Sequence, residues 1–422
     1  MPGSDFLLTT WQGGGNVPPE LGLARRLIGA GHRVRVLSEP TVEPDALAVG
    51  CSFTPWPTAP SIAAIDRDTA VIKDWRVRNP VGLVRRMGSE VIFGPADRFA
   101  HDVLHVLERH PADALLMDVA QFGALIGAER SGLPTVGLLP SIYGRPTRGH
   151  PVMGSGWLPS HRAIGRARDT VMPYLLNRLV GMGRPRLNIV RDQLNLPPLT
   201  DVFELWDRCV RLLVMTSPSF DPPPAGVPSN VRYVGPICDD PAWVEPWTPP
   251  WPLAARPFVL VAMSSTYQAH DGLLRRIVAA LDGTEVSALV TLGPGLRADE
   301  VAGTSNVAVA TSAPHAELLS QASLVVTHAG HGSVIKALAA GVPMVCMPHG
   351  RDQGDNAARV VAAGAGLRVS RRAREPAIRA AIRRVLAQPS YRAAARRLAE
   401  AFAFEAQTRP NAVAEVEVVL SR

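Results

Sequence analysis

Lysine is almost missing from this chain. Only Lys73 and Lys336 stand among 44 lysines and arginines, so the net charge of +7 rests on arginine. A positive surplus can mark a nucleic-acid or anionic-membrane partner. Here arginine is spread along the whole chain, as GC-rich coding would give, and no aromatic-basic alternation accompanies it, so nucleic acid is not an expected partner. No apolar run approaches the roughly 18 residues of a membrane span, and no basic start precedes a leader-like core. The expectation is a soluble, cytoplasmic protein. Cysteine is scarce too: Cys51, Cys209, Cys238 and Cys346 lie far apart with no Cys-x-x-Cys pair, which argues against a zinc site or a disulfide framework. The first loop lacks Gly-x-Gly-x-x-Gly, since Pro18 stands where the third glycine belongs, which argues against a dinucleotide oxidoreductase.

What is present is a chain of 422 residues with 46% hydrophobic content, enough for two or three cores. Its first half opens with a strand at 6–10, a glycine-rich loop, a helix at 20–30 and a strand at 33–37, a βαβ unit that implies a parallel sheet. Apolar runs at 114–117, 135–139 and 212–215 continue it. A long Arg-rich, Pro-punctuated region, 141–198, has no clear strand and reads as an insertion of the kind that shapes a pocket. Residues 236–257 are dense in proline and tryptophan, which favours an extended connection between domains. The alternation then restarts, with strands at 258–263, 287–292, 307–310, 324–327 and 344–347. The domain reading is 1–235, a linker at 236–257, 258–405, and a terminal segment 406–422 with a helix at 410–420, which the family resemblance described below implies packs back on the first domain. The pattern is that of two doubly wound α/β domains, in which ligands should bind at the carboxyl ends of the strands.

The most informative stretch is 328–356. The strand 324–327 runs into His328-Ala329-Gly330-His331-Gly332-Ser333 and a helix, and the strand 344–347 ends in a loop carrying Asp352, Gln353 and Asn356. Free N–H groups at that helix start, with the Ser333 hydroxyl and the His328 imidazole, offer donors to a diphosphate, and the helix dipole adds to them. A neighbouring acid and amide can grip sugar hydroxyls, because a carboxylate accepts and an amide does both. Asp352 also reads as the N-cap of the helix that follows.

With these residues the chain resembles the nucleotide-sugar-dependent glycosyltransferases of the GT-B fold, in particular the natural-product, macrolide and plant secondary-metabolite family. The resemblance covers 258–367 and, more loosely, the first half. It implies two Rossmann-like doubly wound parallel-sheet domains, and a donor site of Ser264, Ser265, Thr266, Ala313, His315, His328, Gly330, Gly332, Ser333, Asp352 and Gln353. Relatives place a serine or threonine loop under the β-phosphate, where Ser264-Ser265-Thr266 stands, though such a loop also makes plain local turns. Plant members stack a tryptophan on the base where this chain has Ala313, a departure that favours thymidine-type donors over the plant UDP pattern. His331 matches a position that varies and reads equally as a packing residue. Asp66-Arg67-Asp68 looks like a metal-binding Asp-x-Asp but belongs to a different glycosyltransferase fold. No metal or other cofactor is expected, because the helix N-terminus and His328 would neutralise the diphosphate.

The family's catalytic base is a histidine in the first loop, oriented by an acid at the end of a later strand. Here Asn16 occupies the base position and Asp118 the orienting one. Three readings stay open: Asp118 acts alone; the acceptor is acidic enough, as a phenol, enol or activated carbon, to need only orientation by Asn16; or the protein does not catalyse transfer. Asp118 also reads as a strand-end acid capping the helix near Gln121, and Asn16 as a turn residue. His32 lies at the far end of the first helix and does not replace the base. Trp11, Met87, Phe93 and Tyr143 are the expected acceptor-binding residues. The function implied is an inverting transfer of a hexose or deoxyhexose from a dTDP- or UDP-linked donor to a hydrophobic small molecule such as a polyketide-type aglycone. The rival is a non-catalytic sugar-nucleotide-binding partner of another enzyme, and a nucleotide-sugar epimerase is disfavoured by the motif spacing. The expected assembly is a monomer or homodimer, with at most weak anionic-lipid contact through arginines at 145–191 or in the C-terminal helices.

Overall fold

The computed structural model describes residues 3–61, 82, 86–241, 244–264 and 266–421. Ser265, Lys73 and the Asp66–Asp68 triplet lie outside them. Strands β1 (Asp5–Thr9), β2 (Arg33–Ser38), β3 (Ser52–Pro55), β4 (Ala114–Asp118), β5 (Thr135–Leu139), β6 (Arg211–Val214) and β7 (Val231–Tyr233) form one sheet in the order β3-β2-β1-β4-β5-β6-β7. A second sheet holds β8 (Phe258–Ala262), β9 (Ser287–Thr291), β10 (Val307–Ala310), β11 (Ala322–Thr327), β12 (Met344–Cys346) and β13 (Gly366–Arg368), in the order β10-β9-β8-β11-β12-β13. Every strand pair in both is parallel.

The first sheet carries helices α1 (Val17–Gly29), α2 (Glu43–Ala48), α3 (Ala96–Arg109), α4 (Phe122–Ser131), α5 (Ala163–Val180), α6 (Arg184–Gln193) and α7 (Glu204–Asp207). The second carries α8 (Asp271–Leu281), α9 (His315–Leu319), α10 (His331–Ala339), α11 (Gln353–Ala362), α12 (Glu375–Ala387) and α13 (Pro389–Thr408), and α14 (Ala412–Leu420) ends the chain. Among the described residues no helix is long and apolar enough to cross a membrane.

The run Phe6-Leu7-Leu8 shows why the sheets are covered on both faces. Side chains alternate along a strand, so Phe6 and Leu8 enter one core with Leu21 of α1 and Val416 of α14. Leu7 enters the opposite core with Val103 of α3 and Ile126 of α4. A run buried on both sides is the mark of a parallel sheet. The second sheet is sandwiched in the same way between two further cores. Helix α1 begins three residues before the expected start, because Pro18 and Pro19 fall in its first turn, where no N–H is missed.

The chain crosses between the sheets twice. Around 236–257 the described residues hold only a short 3-10 turn, Leu253–Ala255. Two neighbouring acids there serve opposite partners. Asp239 binds Arg25 (2.7 Å) and Arg26 of α1, while Asp240 binds Lys336 of α10 (2.6 Å) and accepts from the Ala316 N–H of α9 (3.0 Å). Gly22 makes the first contact feasible, since a Cβ there would come within 2.2 Å of Asp239 Oδ2. The return crossing follows α13, which packs on α10. Helix α14 then lies against α1, β5 and β6, with Glu415 bound to Arg211 (2.8 Å).

Candidate functional site

In a doubly wound sheet, the connections from two adjacent central strands leave in opposite directions, and a crevice opens at their carboxyl ends. That reversal falls between β1 and β4 in the first sheet and between β8 and β11 in the second. Asn16 follows β1, Asp118 ends β4, Ser264 and Thr266 follow β8, and His328 and Gly330 follow β11. All six line one cleft of about 1620 Å³. Pockets for a single small molecule run to roughly 300–1,000 Å³, so this one has room for two ligands side by side.

On the side of the first sheet, Asn16 Nδ2 donates to the Trp11 carbonyl (2.7 Å) and to Asp118 Oδ2 (2.9 Å). Both amide hydrogens are thereby committed, which leaves Asn16 Oδ1 as the group with spare capacity. Asp118 Oδ1 accepts from the Ala120 N–H (2.8 Å), tying the turn before α4. Burial pushes the Asp118 pKa up to about 6, against the opposing hydrogen bonds from Ala120 and Asn16. Two more buried carboxyls stand behind it. Glu20, in the first turn of α1, lies beside Asp118 and Thr10 without closing a hydrogen bond to Thr10 Oγ1. Its burial, and then the Asp118 charge, raise its pKa well above the ordinary range. Glu39 accepts from Ser38 Oγ (2.9 Å) and the Gln12 N–H (3.2 Å), and burial takes it to about 7.

On the side of the second sheet, Ala329 adopts a left-handed φ of 67° and turns the chain from β11 into α10. No side chain caps the first turn of α10, so its leading N–H groups face the cleft as an anion site would need. Gly330 leaves room for the His328 ring in this position, because a Cβ would lie 2.4 Å from His328 Nε2. Gly332 and Ser333 line the cleft at the same helix start. Burial, then the nearby His349, His270 and Arg351, hold the His328 pKa down at about 3, so its imidazole is neutral. Ser264 Oγ and Thr266 Oγ1 are 3.1 Å apart in a local turn that faces the same space.

Asp352 does not cap α11 with its side chain. Its Oδ2 instead accepts from Asn356 Nδ2 (2.9 Å), and the expected N-cap bond is absent. Gln353 is buried and occupied at both ends: Oε1 accepts from the His349 N–H (2.7 Å) and the Gly350 N–H (3.2 Å), and Nε2 donates to Gln268 Oε1 (3.0 Å). Both residues still line the cleft. Ala313 and His315 do as well, with His315 Nε2 3.0 Å from Thr291 Oγ1 and its pKa lowered by burial to about 4. His331 packs towards Phe220, with neither ring nitrogen in a hydrogen bond.

Trp11, Met87 and Phe93 line the apolar end of the cleft, the last two flanking a π-helical turn, Gly88–Ile92. Tyr143 does not join them. It lines a separate pocket of about 20 Å³ at the domain seam, with its N–H on Asp221 Oδ2 (2.8 Å). His32 is far from the cleft, where its Nδ1 accepts from the Ser4 N–H (3.1 Å) and its Nε2 lies 3.3 Å from Glu417 Oε1. No group of three His, Cys, Asp or Glu side chains suited to a metal ion occurs among the described residues.

Several residues here escaped the sequence reading. Arg351, at φ 56°, reaches across the cleft to the Gly13 carbonyl (3.4 Å) and, on its own side, lies 3.3 Å from Thr266 Oγ1. Asp355 of α11 accepts from the N–H groups of Gly154 and of Gly156 (2.7 Å), on the other domain, and burial raises it to about 6. Arg359 binds Asp221 (2.6 Å) alongside. Only the positive φ at Arg351 is a general signal of function, and it is invisible in the sequence.

Residues 275–420 match the family described as Erythromycin biosynthesis protein CIII-like, C-terminal domain. The chain is 32% identical over 392 residues to the 4'-demethylrebeccamycin synthase of Lentzea aerocolonigenes, covering 91% of this chain and 92% of that one. It is also similar in structure to the kitacinnamycin glycosyltransferase, with a TM-score of 0.75 at 21% identity and full coverage of both chains. The calicheamicin glycosyltransferase CalG4 superposes with a TM-score of 0.74 at 22% identity, covering 100% and 99%. A relative this similar along nine-tenths of its length, joined to the two facing parallel-sheet domains, means that the chain belongs to the natural-product glycosyltransferases of the GT-B fold.

Proposed function

We propose that the protein is an inverting enzyme that moves a hexose or deoxyhexose from a dTDP- or UDP-linked donor to a hydrophobic small molecule such as a polyketide-type aglycone. One observation carries the reading: an uncapped helix start beside a neutral imidazole and an amide–carboxylate pair open on the same cleft, which has space for two ligands. The diphosphate sits at the start of α10, taking hydrogen bonds from main-chain N–H groups, Ser333 and His328. The base lies near Ala313 and His315, and the sugar near Asp352 and Gln353. The acceptor lies among Trp11, Met87 and Phe93. No metal is needed, because the donors at the helix start offset the charge that grows on the leaving diphosphate.

Asn16 orients the nucleophile through Oδ1, and Asp118 takes its proton as the acceptor oxygen, nitrogen or carbon attacks the anomeric carbon. A base is most effective with a pKa near the working pH, and a carboxylate at about 6 is better suited than an ordinary one. Attack from the face opposite the diphosphate inverts the anomeric centre. The protein works in the cytoplasm as a monomer or homodimer, without nucleic acid.

The test is a thermal-shift screen of purified protein against dTDP- and UDP-sugars, followed by transfer assays over an aglycone panel. The anomeric coupling constant of the product reads the stereochemistry. An absence of any shift with every nucleotide sugar would sink the proposal, and a retained anomeric configuration would sink the inverting part of it.

A further inference from the structure

A left-handed turn of the backbone is costly for any residue with a Cβ, and it persists where the surroundings hold it in place. Four residues other than glycine adopt one among those described, and three of them, Ala269, Ala329 and Arg351, follow β8, β11 and β12 at the carboxyl edge of the second sheet. Ala269 and Ala329 have small side chains, whereas Arg351 has a long cationic one. Its main chain is pinned just ahead of it and just after. Gln353 Oε1 accepts from the His349 and Gly350 N–H groups, and the Gln353 N–H returns to the Gly350 carbonyl (3.2 Å). The fold thus fixes an arginine where glycine would turn more easily.

The guanidinium stands among groups that would face a diphosphate. Its Nη1 lies 3.3 Å from Thr266 Oγ1 on the loop after β8. Burial, His349, His270 and then Arg351 keep the His328 imidazole neutral, so the guanidinium is within electrostatic reach of that ring too. The same Nη1 donates to the Gly13 carbonyl (3.4 Å) on the other domain. Gly13 lies against Asn16, since a Cβ at Gly13 would come within 2.8 Å of Asn16 Oδ1. Arg351 therefore spans the space between the donor loops and the loop that presents Asn16.

Charge accounting singles it out. Among the described residues, four cationic side chains line the cleft: Arg186, Lys336, Arg351 and Arg371. Lys336 is paired with Asp240 (2.6 Å), and Arg186 with Asp97 (2.9 Å). Arg371 follows the edge strand β13, two strands from β11, which is roughly 10 Å at about 4.8 Å per strand. Burial keeps His270 and His315 neutral, like His328. A diphosphate at the start of α10 would meet neutral donors and the helix dipole, and Arg351 is the cation that stands beside them.

We propose that Arg351 is a further catalytic residue, the cation that meets the β-phosphate of the sugar donor while holding the Gly13 carbonyl. The inference rests on the sugar-transfer reading above. As the acceptor attacks, the bond from the anomeric carbon to the β-phosphate oxygen breaks. Its electron pair leaves with that oxygen, and the acceptor's proton passes to Asp118. Negative charge thus grows on the β-phosphate, where a guanidinium already in place stabilises it with little reorganisation. The five N–H donors of an arginine can serve phosphate oxygens and a carbonyl together, and its planar fork suits two phosphate oxygens at once. Through Gly13, the residue that steadies the leaving group also braces the loop that orients the acceptor.

The experiment compares the full chain with its Arg351→Lys, Arg351→Gln and Arg351→Gly variants. The first two keep a Cβ at the left-handed position and differ in charge, and the third relieves the strain, so damage to the turn and loss of the cation are told apart. Calorimetric titration with UDP, dTDP, UMP and dTMP reads the site without turnover. The parent should prefer the diphosphates. Arg351→Gln and Arg351→Gly should each lose about ten- to a hundredfold in diphosphate affinity and keep the parent's affinity for the monophosphates, with Arg351→Lys falling less. In transfer assays Arg351→Gln should lose about 10²–10³-fold in kcat, the usual effect of removing one group that stabilises developing charge. Diphosphate and monophosphate affinities that fall together, or do not fall at all, would overturn the proposal, as would an Arg351→Gln enzyme with the parent kcat. A parent that binds none of the four nucleotides would sink the donor reading itself, and this inference with it.

Discussion

Asn16 and Asp118 are 102 residues apart in the chain and joined by a 2.9 Å hydrogen bond across the mouth of the first sheet's crevice. The amide holds the carboxylate, and the Trp11 carbonyl holds the amide. The pair therefore behaves as one unit, in which changing either member disturbs the other.

With Asp118 as the base, kcat/KM should fall as the pH drops below about 6, because its raised pKa makes it protonated there. Asp118→Asn should cost about 10²–10⁴-fold in kcat, the usual contribution of a positioned base. A rate profile that stays flat through that range, or an Asp118→Asn enzyme with full activity, would remove Asp118 from the chemistry and leave Asn16 to orient an acceptor already acidic enough.

Glu20→Gln should stabilise the fold, and more so in alkali. The folded-state pKa of Glu20 is raised, so the protein takes up a proton on folding that the unfolded chain lacks above the ordinary value of 4.5. Stability is then lost as the pH climbs from that value towards the folded pKa. An amide does not titrate, so the gain in melting temperature over the parent should widen with rising pH. An equal gain at every pH would show that Glu20 carries no such penalty.

Gly330→Ala should damage donor binding while sparing the fold. The added methyl would sit 2.4 Å from His328 Nε2 and must push the imidazole away. A hydrogen bond to a charged group is worth about 1.5–3 kcal/mol, so a donor KM about ten- to a hundredfold higher is expected. His328→Ala should give a similar rise. Parent-like donor affinity in both variants would argue against the diphosphate lying there.

Asp355→Asn should loosen the seam between the domains. The carboxylate accepts from the Gly154 and Gly156 N–H groups, and an amide would turn one donor against another. Hydrogen exchange at residues 150–157 should quicken, with little change in the strands of either sheet. Unchanged protection of that loop would show that Arg359 and Asp221 hold the seam without it.

The sequence was most informative where burial is greatest. Strands such as Phe6-Leu7-Leu8 and Leu324-Val325-Val326 are apolar without a break because both faces are covered. The edge strands Ser52–Pro55, Val231–Tyr233 and Gly366–Arg368 were not foreseen, being short and partly exposed, so they lack that signature. His328 and Gly330 were legible from the turn they make. Glu20 was not, because an acid in the first turn of a helix usually just faces the dipole. Asp352 holds the N-cap position in the sequence, yet its side chain accepts from Asn356 instead of capping the helix. Tyr143 sits near the right loops in the chain, but the seam with α11 draws it from the cleft. Contacts such as Arg351 to Gly13 depend on how the domains meet, which no local pattern encodes.

Asp239 and Asp240 are one peptide apart, and each is ion-paired to a helix belonging to a different sheet. A residue can turn about its own two soft dihedrals but cannot stretch. The cleft can therefore gape only by swivelling about this point or by first breaking an ion pair. Of the two routes, the first leaves the ion pairs of Asp239 and Asp240 intact. Opening and closing would then resemble a pair of shears on a fixed pivot, with the widest travel at the rim furthest from α1 and α10.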